Sequence, residues 1–463
     1  MEYKYLTPFM QDEYEFPGAH CFSAGDNSFL LSKNGVSIVL SNNLISEIER
    51  CEISDDLAFK LYQRGFGSVY GQERLREPEN LICPTLFMID FTTKCNCNCV
   101  YCLRHFEDVG ETISDGMLES ITNYIIQYCK SNHIHRISFQ PWGGEPLIAL
   151  KQIIDCKRMF DEAGIRADFI IQTNGLLLTL DNYEKLRSNN IIAVGVSIDG
   201  IESVHDAHRL DVRGNTTHSV IVRNLKMIHE KYPDDNIGSL SVNSVFSRDR
   251  IAENVDYLVN KLGFHSIKFN LVHPSGSEGF DNAMLLKKED ISQYVCDLVD
   301  AVVSCIDSEK SCVETNILDK LGNLLDCADR NICNSRGCRG GLSFISFDQQ
   351  GNIYPCEMIG RTEYCLGNIA DEHNDLTELI KEAQSSNGYY AQRNLQSCND
   401  CPFIYFCRGG CKASCLAYGR KPCDIDQMEC AVNQSLYPIL IELILTKPQV
   451  AEQLIGNRVK IGW

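Results

Sequence analysis

Residues 95–102 read CNCNCVYC and contain the spacing Cys95-x₃-Cys99-x₂-Cys102. Three thiols on one short loop can converge on a single metal centre, and thiolates suit tetrahedral zinc or iron as well as iron–sulfur clusters. A closed structural site takes four ligands, whereas three leave a coordination position open for chemistry. Cys97 lies two residues from both Cys95 and Cys99. Its use as a fourth ligand would strain the loop, so it reads as a bystander. A zinc knuckle or a run of buried thiols accounts for this spacing as well as a catalytic centre does.

A second cysteine field lies far downstream. Cys338-x₁₂-Gly351-x₄-Cys356 is followed by Cys398-x₂-Cys401-x₅-Cys407-x₃-Cys411-x₁₈-Cys430. Residues 347–356, FDQQGNIYPC, read as a hairpin that turns at Gly351 and delivers Cys356. The chain holds 24 Cys in 463 residues. Its N-terminal MEYKYLTPFMQDEYEF has neither a basic nor an apolar segment of a signal peptide. The longest apolar run, Leu436–Leu445, is interrupted by Glu442 and followed by Pro448, short of the ~20 residues that span a bilayer. A cytoplasmic location is therefore expected. There thiols stay reduced, and surplus cysteine points to metal binding rather than disulfides. A net charge of −19 argues against nucleic acid or an anionic membrane as partner. A peptide with basic segments would suit that surface better.

The elements that must position these thiols are legible as alternating runs. Candidate strands are Leu86–Thr92, Arg136–Pro141, Asp168–Thr173, Ala193–Ile198, Ser239–Phe246 and Ser266–Val272. Amphipathic stretches lie between them: Asp115–Ser131, Leu147–Ala163, Asp181–Ser188, His218–Lys231 and Ala252–Leu262. Strand–helix alternation implies parallel strands with right-handed crossovers. The expected fold class is α/β, a partial (β/α)6 TIM-type barrel, with sites at the C-terminal strand ends. The cysteine loop follows the first strand, and Trp142-Gly143-Gly144-Glu145-Pro146 follows the second. Gln172-Thr173-Asn174-Gly175 ends the third, and Ser197-Ile198-Asp199-Gly200 then His205-Asp206-Ala207-His208-Arg209 follow the fourth. Paired glycines let a backbone approach a ligand closely.

Taken together, the cysteine spacing with Tyr101 as its aromatic, the GGEP turn and the SxDG…HDxxR order resemble the radical S-adenosylmethionine (SAM) family. The resemblance implies that Cys95, Cys99 and Cys102 hold a [4Fe–4S] cluster whose fourth iron is chelated by SAM. It places Gly143, Gly144 and Glu145 at the SAM amino group, Ser197 and Arg209 on SAM with Asp199 beside them, and Leu271 against adenine. Chemically, a hydroxyl suits ribose and a guanidinium fork suits a carboxylate.

The downstream field resembles the SPASM extension of peptide-modifying members, with a last spacing one residue longer than usual. That likeness implies two auxiliary [4Fe–4S] clusters, three clusters in all. Cys398, Cys401, Cys407 and Cys430 would hold one; Cys338, Cys356 and Cys411 the other, with Cys333 as its fourth ligand or else an open iron. CxxC pairs also suit structural zinc. The cluster reading uses eleven of the 24 Cys; within this region Cys365, Cys415 and Cys423 match nothing in the pattern and read as packing or spare thiols.

The remaining segments are expected as follows. Residues 1–80 carry a hairpin around Lys33-Asn34-Gly35 and helices at Asn42–Cys51 and Ser54–Arg64. This resembles a small winged-helix-like α+β peptide-recognition domain, or serves as a cap on the barrel. The barrel occupies 84–275, a helical bridge 276–332 with a strong stretch at Asp290–Ile306, the SPASM domain 333–435 and a C-terminal helix 436–463.

In the radical SAM family the reduced cluster cleaves SAM to a 5′-deoxyadenosyl radical that abstracts hydrogen from an unactivated carbon. The electron comes from an external one-electron reductant of flavodoxin or ferredoxin type. Substrates are precursor peptides or proteins. One branch makes formylglycine in sulfatases with an Asp after the hairpin Cys as base; here that position is Glu357. The other crosslinks ribosomally made peptides, and the N-terminal unit points there, to Cys thioethers. A non-catalytic iron–sulfur electron carrier is the alternative of another class; it would need the thiols but not GGEP, Ser197 and Arg209.

Overall fold

In a computed structural model the described residues are 1–69, 72–73, 82–102, 110–274, 282–307, 312–325, 337–359, 362–372 and 374–456. Its centre is a ten-stranded sheet. Six strands run parallel in sequence order: Leu86–Thr92, Arg136–Gly143, Arg166–Thr173, Ala193–Ser197, Gly238–Asn243 and Ser266–Leu271. They are the six expected from alternation, with ends shifted by a few residues. Helices Asp115–Ser131, Leu150–Glu162, Leu180–Ser188, His218–Lys231 and Ile251–Asp256 form the crossovers. Each strand is buried where its alternate residues meet the helices, as in Phe87, Ile89, Phe139, Ile171 and Val196. Phe139 and Phe169 of neighbouring strands pack with ring centroids 4.5 Å apart.

The sheet does not stop at the barrel. Val313–Glu314 adds a parallel strand beside Ser266–Leu271. On the opposite edge Phe344–Phe347 runs parallel to the first strand, and the hairpin partner Asn352–Tyr354 pairs back on it. Gly351 sits in that turn with φ +80°, the left-handed region that favours glycine. The second cysteine field is thus anchored in the same sheet as the first.

The first 73 residues form an α+β unit with two four-stranded antiparallel sheets and two helices, richer in strand than one hairpin implies. Helix Asp55–Arg64 is capped by Ser54, whose side chain accepts from Leu57 N–H, and ends at Gly65 in the left-handed conformation. Strand alternation gives the main sheet two apolar faces. Cys21 and Leu30 join the unit's own core, while Phe22, Phe29 and Leu31 join the central core. Phe22 stacks on Phe403 at 6.0 Å, and a Cβ on Gly35 would fall 2.0 Å from the Tyr405 ring. The hairpin turn is seated on the short helix Ile404–Cys407.

Two boundaries differ from expectation. The C-terminal helix does not begin at 436: it runs Gln427–Thr446, because the Asp426 side chain caps it by accepting from Met428 and Glu429 N–H. Cys430 therefore stands inside a helix, and a second helix follows at Pro448–Leu454. The bridge contains helices Ile291–Asp307 and Thr315–Leu324. Among the described residues no helix is long and apolar enough to cross a membrane.

Candidate active site

The cysteine loop leaves the first strand and is held by two neighbouring segments. Cys97–Cys99 forms a short strand antiparallel to Arg209–Asp211, with Cys99 opposite Arg209. Gly144 N–H donates to Thr92 O at 2.7 Å and Glu145 N–H to Lys94 O at 2.9 Å. A Cβ on Gly143 would lie 2.1 Å from Thr92 O, and one on Gly144 2.0 Å from Lys94 O. What these glycines admit at close range is the cysteine loop's own backbone. Gly144→Ala is expected to displace the loop and lower anaerobically reconstituted iron by about four atoms per chain, one cluster's worth; iron assay checks it.

Behind the loop lies a buried ionic cluster. Asp199 is 0% exposed and Arg209 8%. Asp199 Oδ2 accepts from Arg209 Nε at 3.1 Å and from the Tyr101 hydroxyl at 2.5 Å, while Oδ1 accepts from Val242 N–H at 2.9 Å. His208 Nδ1 stands 3.4 Å from Asp199 Oδ2. Burial opposes the charge on Asp199, but Arg209 and His208 outweigh it and hold the carboxyl well below the usual carboxylate range. Arg209 Nη1 in turn reaches Cys99 Sγ at 3.9 Å. Both Asp199 oxygens are thus taken up by protein donors, Arg209 among them, and Asp199 does not line the adjoining cavity.

Glu145 is likewise spent on structure. Its carboxylate accepts from Leu147 N–H (3.0 Å), the Thr173 hydroxyl (2.7 Å) and Asn174 N–H (2.7 Å), joining the ends of the second and third strands. Burial nevertheless pushes its carboxyl up to about 7.

These groups border a cavity of about 580 Å³. Cys95, Cys99, Tyr101, Cys102, Gly143, Gly144, Glu145, Ser197, Arg209 and Leu271 all line it. Glu357 and Cys411 from the second cysteine field also line it. Cys97 also borders it, on the same face of its strand as Cys99, a placement that period-two alternation from Cys97 to Cys99 could have signalled. Trp142 Nε1 is buried there with no hydrogen-bond partner among the described residues. Among the described residues no group of three His, Cys, Asp or Glu side chains is set to hold a single metal ion.

The second field divides into two places. Cys338, Cys356 and Cys411 pack around Ile359, Tyr389, Ala413 and Leu416. Cys356 Sγ donates to Glu357 Oε2 at 3.0 Å. Cys398, Cys401 and Cys430 lie within electrostatic reach of one another, and Cys407 stands beside Glu429 and Asn433 of the Cys430 helix. Cys333 lies outside the described residues.

The bridge supplies cavity groups that no motif announces. Glu314 is fully buried and accepts from Phe269 N–H (2.9 Å) and Ile317 N–H (2.8 Å), capping the helix that carries Lys320. Lys320 pairs with Glu429 at 2.7 Å. Burial pushes the Glu314 carboxyl up to about 7 despite those bonds. Its folded value exceeds its unfolded one, so its contribution is intact below about 4.5 and lost as pH rises through about 7. The loss reaches about 3 kcal/mol. Denaturation at pH 5 and pH 8 should therefore show a smaller pH-dependent drop in Glu314→Gln than in the wild type.

Residues 89–265 match the Radical SAM superfamily. The cysteine-type anaerobic sulfatase-maturating enzyme of Clostridium novyi (strain NT) is 24% identical over 333 residues, 69% of this chain and 86% of that protein. The serine-type anaerobic sulfatase-maturating enzyme of Bacteroides thetaiotaomicron is 26% identical over 345 residues, 68% and 80% of the two chains. Among solved structures, native anSMEcpe with bound AdoMet superposes with TM-score 0.63 at 20% identity, covering 81% of this chain and 100% of that one. Streptococcus suis SuiB bound to precursor peptide SuiA gives TM-score 0.54 at 14% identity, covering 89% and 99%. The fold is that of these proteins.

Proposed function

We propose that the chain, whose residues 89–265 match the Radical SAM superfamily, is a radical SAM enzyme that matures a ribosomally made precursor peptide by crosslinking, through a Cys thioether. The observation that carries the reading is one cavity lined both by Cys95, Cys99 and Cys102 and by Glu357 and Cys411 of the second cysteine field. Three thiols on a single loop, with a guanidinium beside Cys99 to offset thiolate charge, are a donor set that fits an iron–sulfur cluster with one open iron. Cys95, Cys99 and Cys102 would hold it. The two groups of the second field would hold the auxiliary clusters, with Cys333 completing the set of Cys338, Cys356 and Cys411.

When bound, the cluster and SAM supply one-electron cleavage of SAM and a radical able to take hydrogen from an unactivated carbon. The chain's own residues bind, orient and exclude water. Ser197, Arg209, Tyr101 and the Gly143–Glu145 turn border the SAM side, and Trp142 Nε1 offers an unused donor. Leu271, Val272, Leu298 and Leu436 make the walls apolar. Glu357 stands where a carboxylate can accept the proton that a substrate loses. An external flavodoxin- or ferredoxin-type donor would supply electrons. Residues 1–80 would hold the leader peptide; Glu2–Leu6, an edge strand of its sheet, offers backbone for an added strand.

Formylglycine formation is the second reading, favoured by the sulfatase-maturating relatives at 24% and 26% identity. Reconstituted protein with SAM, dithionite and a Cys-containing candidate peptide separates the two by mass spectrometry. A thioether removes two hydrogens from the peptide and keeps the sulfur. Formylglycine from Cys exchanges the sulfur for an aldehyde oxygen. The crosslinking reading fails if 5′-deoxyadenosine forms and the sulfur is lost.

A further inference from the structure

Tyr389 is 0% exposed and stands among the thiols assigned to the first auxiliary site. Its hydroxyl lies 3.3 Å from Cys338 Sγ, and Cys356 and Cys411 pack against the same small apolar cluster. The ring is held from several directions. Lys412 Nζ lies 4.5 Å from its centroid and donates to the Tyr389 carbonyl at 2.6 Å. Asn387 Oδ1 accepts from the Tyr389 N–H at 3.0 Å. Position 340 is glycine because a Cβ there would come within 2.3 Å of the phenol oxygen. Among the described residues, the Cys338 sulfur is the phenol's one hydrogen-bond partner.

We propose that Tyr389 donates a hydrogen bond to the Cys338 sulfur of the first auxiliary iron–sulfur cluster and, as a positioning residue, raises that cluster's reduction potential. The proposal rests on the auxiliary-cluster reading above. Between a free thiol and a phenol the proton can point either way. A metal-bound thiolate has none, so the phenol must be the donor once the cluster is in place. A donor aimed at a cluster sulfur stabilises the more negative, reduced state, and such bonds are among the terms that set cluster potentials. The location gives the effect consequence: Cys411 borders the reaction cavity, and Glu357 follows Cys356 directly.

The test compares anaerobically reconstituted full-length wild type with Tyr389→Phe, by iron and sulfide content and by redox titration followed by electron paramagnetic resonance. The expected result is unchanged content of about twelve irons per chain, with one cluster's midpoint moved to more negative potential and the other two in place. Tyr390→Phe is the control expected to leave all three midpoints alone, since that hydroxyl donates to the Gly341 carbonyl at 3.1 Å. Unchanged midpoints in Tyr389→Phe at full iron content would overturn the proposal. Loss of about four irons in that variant would overturn it too, by making the phenol a ligand or a structural support of the site. A wild type that holds only about four irons would instead overturn the auxiliary-cluster reading, and the proposal with it.

Discussion

Replacing Cys95, Cys99 and Cys102 together by Ala is expected to abolish 5′-deoxyadenosine formation while leaving iron at about eight atoms per chain, down from about twelve. The two halves of this result have separate structural grounds. The three thiols share one loop and one cavity wall, and no other described cysteine except Cys97 lies in that loop. Cys97 alone supplies one thiolate where three are needed. The second field hangs on different supports: the Phe344–Phe347 hairpin, the turns through Cys398–Cys407 and the helix carrying Cys430. Replacing three partly buried thiols by methyl groups in the loop leaves those supports untouched. Fold retention is read from circular dichroism, iron by assay and cleavage by chromatography. Continued SAM cleavage by the triple variant would refute the assignment. A fall to no iron at all would mean that the second field depends on the first.

The barrel was legible because its signals are local. Apolar runs alternating with amphipathic stretches set six parallel strands, and turn residues such as Gly143 and Gly144 sit where backbones cross within 2.1 Å of a hypothetical Cβ. Cys95, Ser197, Arg209 and Leu271 line the cavity because strand ends in this topology share one rim. What the sequence conceals is long-range. Strands of two or three residues, such as Phe9–Gln11 and Ser68–Val69, carry too little alternation to register. The pairing of Phe344–Phe347 with Leu86–Thr92 joins segments more than half the chain apart. Glu314 and Lys320 border the cavity from a segment that reads as plain helix, because a buried carboxylate serving as a cap has no spacing rule of its own. The same holds for Tyr389, which owes its place to packing against three cysteines drawn from distant turns. Motif residues show what chemistry is available; tertiary contact decides which of them touch ligand. Asp199 illustrates the difference, since its motif places it at the site and its hydrogen bonds place it behind Arg209.

That position makes Asp199→Asn the largest stability effect expected of a single isosteric change here. The substitution keeps volume and removes charge, so Arg209, 8% exposed, is left as a buried cation without a counter-ion. Breaking one side of such a pair costs about 3–5 kcal/mol, against a total stability of roughly 5–15 kcal/mol for a domain. The damage is also directional. Arg209 faces Cys99 across the strand pairing and reaches its sulfur. A guanidinium released from Asp199 loses the bond that fixes its Nε, and with it the alignment of the cysteine loop. Tyr101, whose hydroxyl donates to the same oxygen, loses its charged acceptor. Urea denaturation should show the drop in midpoint, and iron analysis a lowered occupancy of the first site with the second field unaffected. Adding Arg209→Met to Asp199→Asn should recover part of the stability, because the uncompensated charge goes with it. It should recover none of the SAM cleavage, because the guanidinium bordering the cavity is then gone. Stability and activity parting in the double variant is the signature of a pair that holds the loop in place and also presents Arg209 to the cavity.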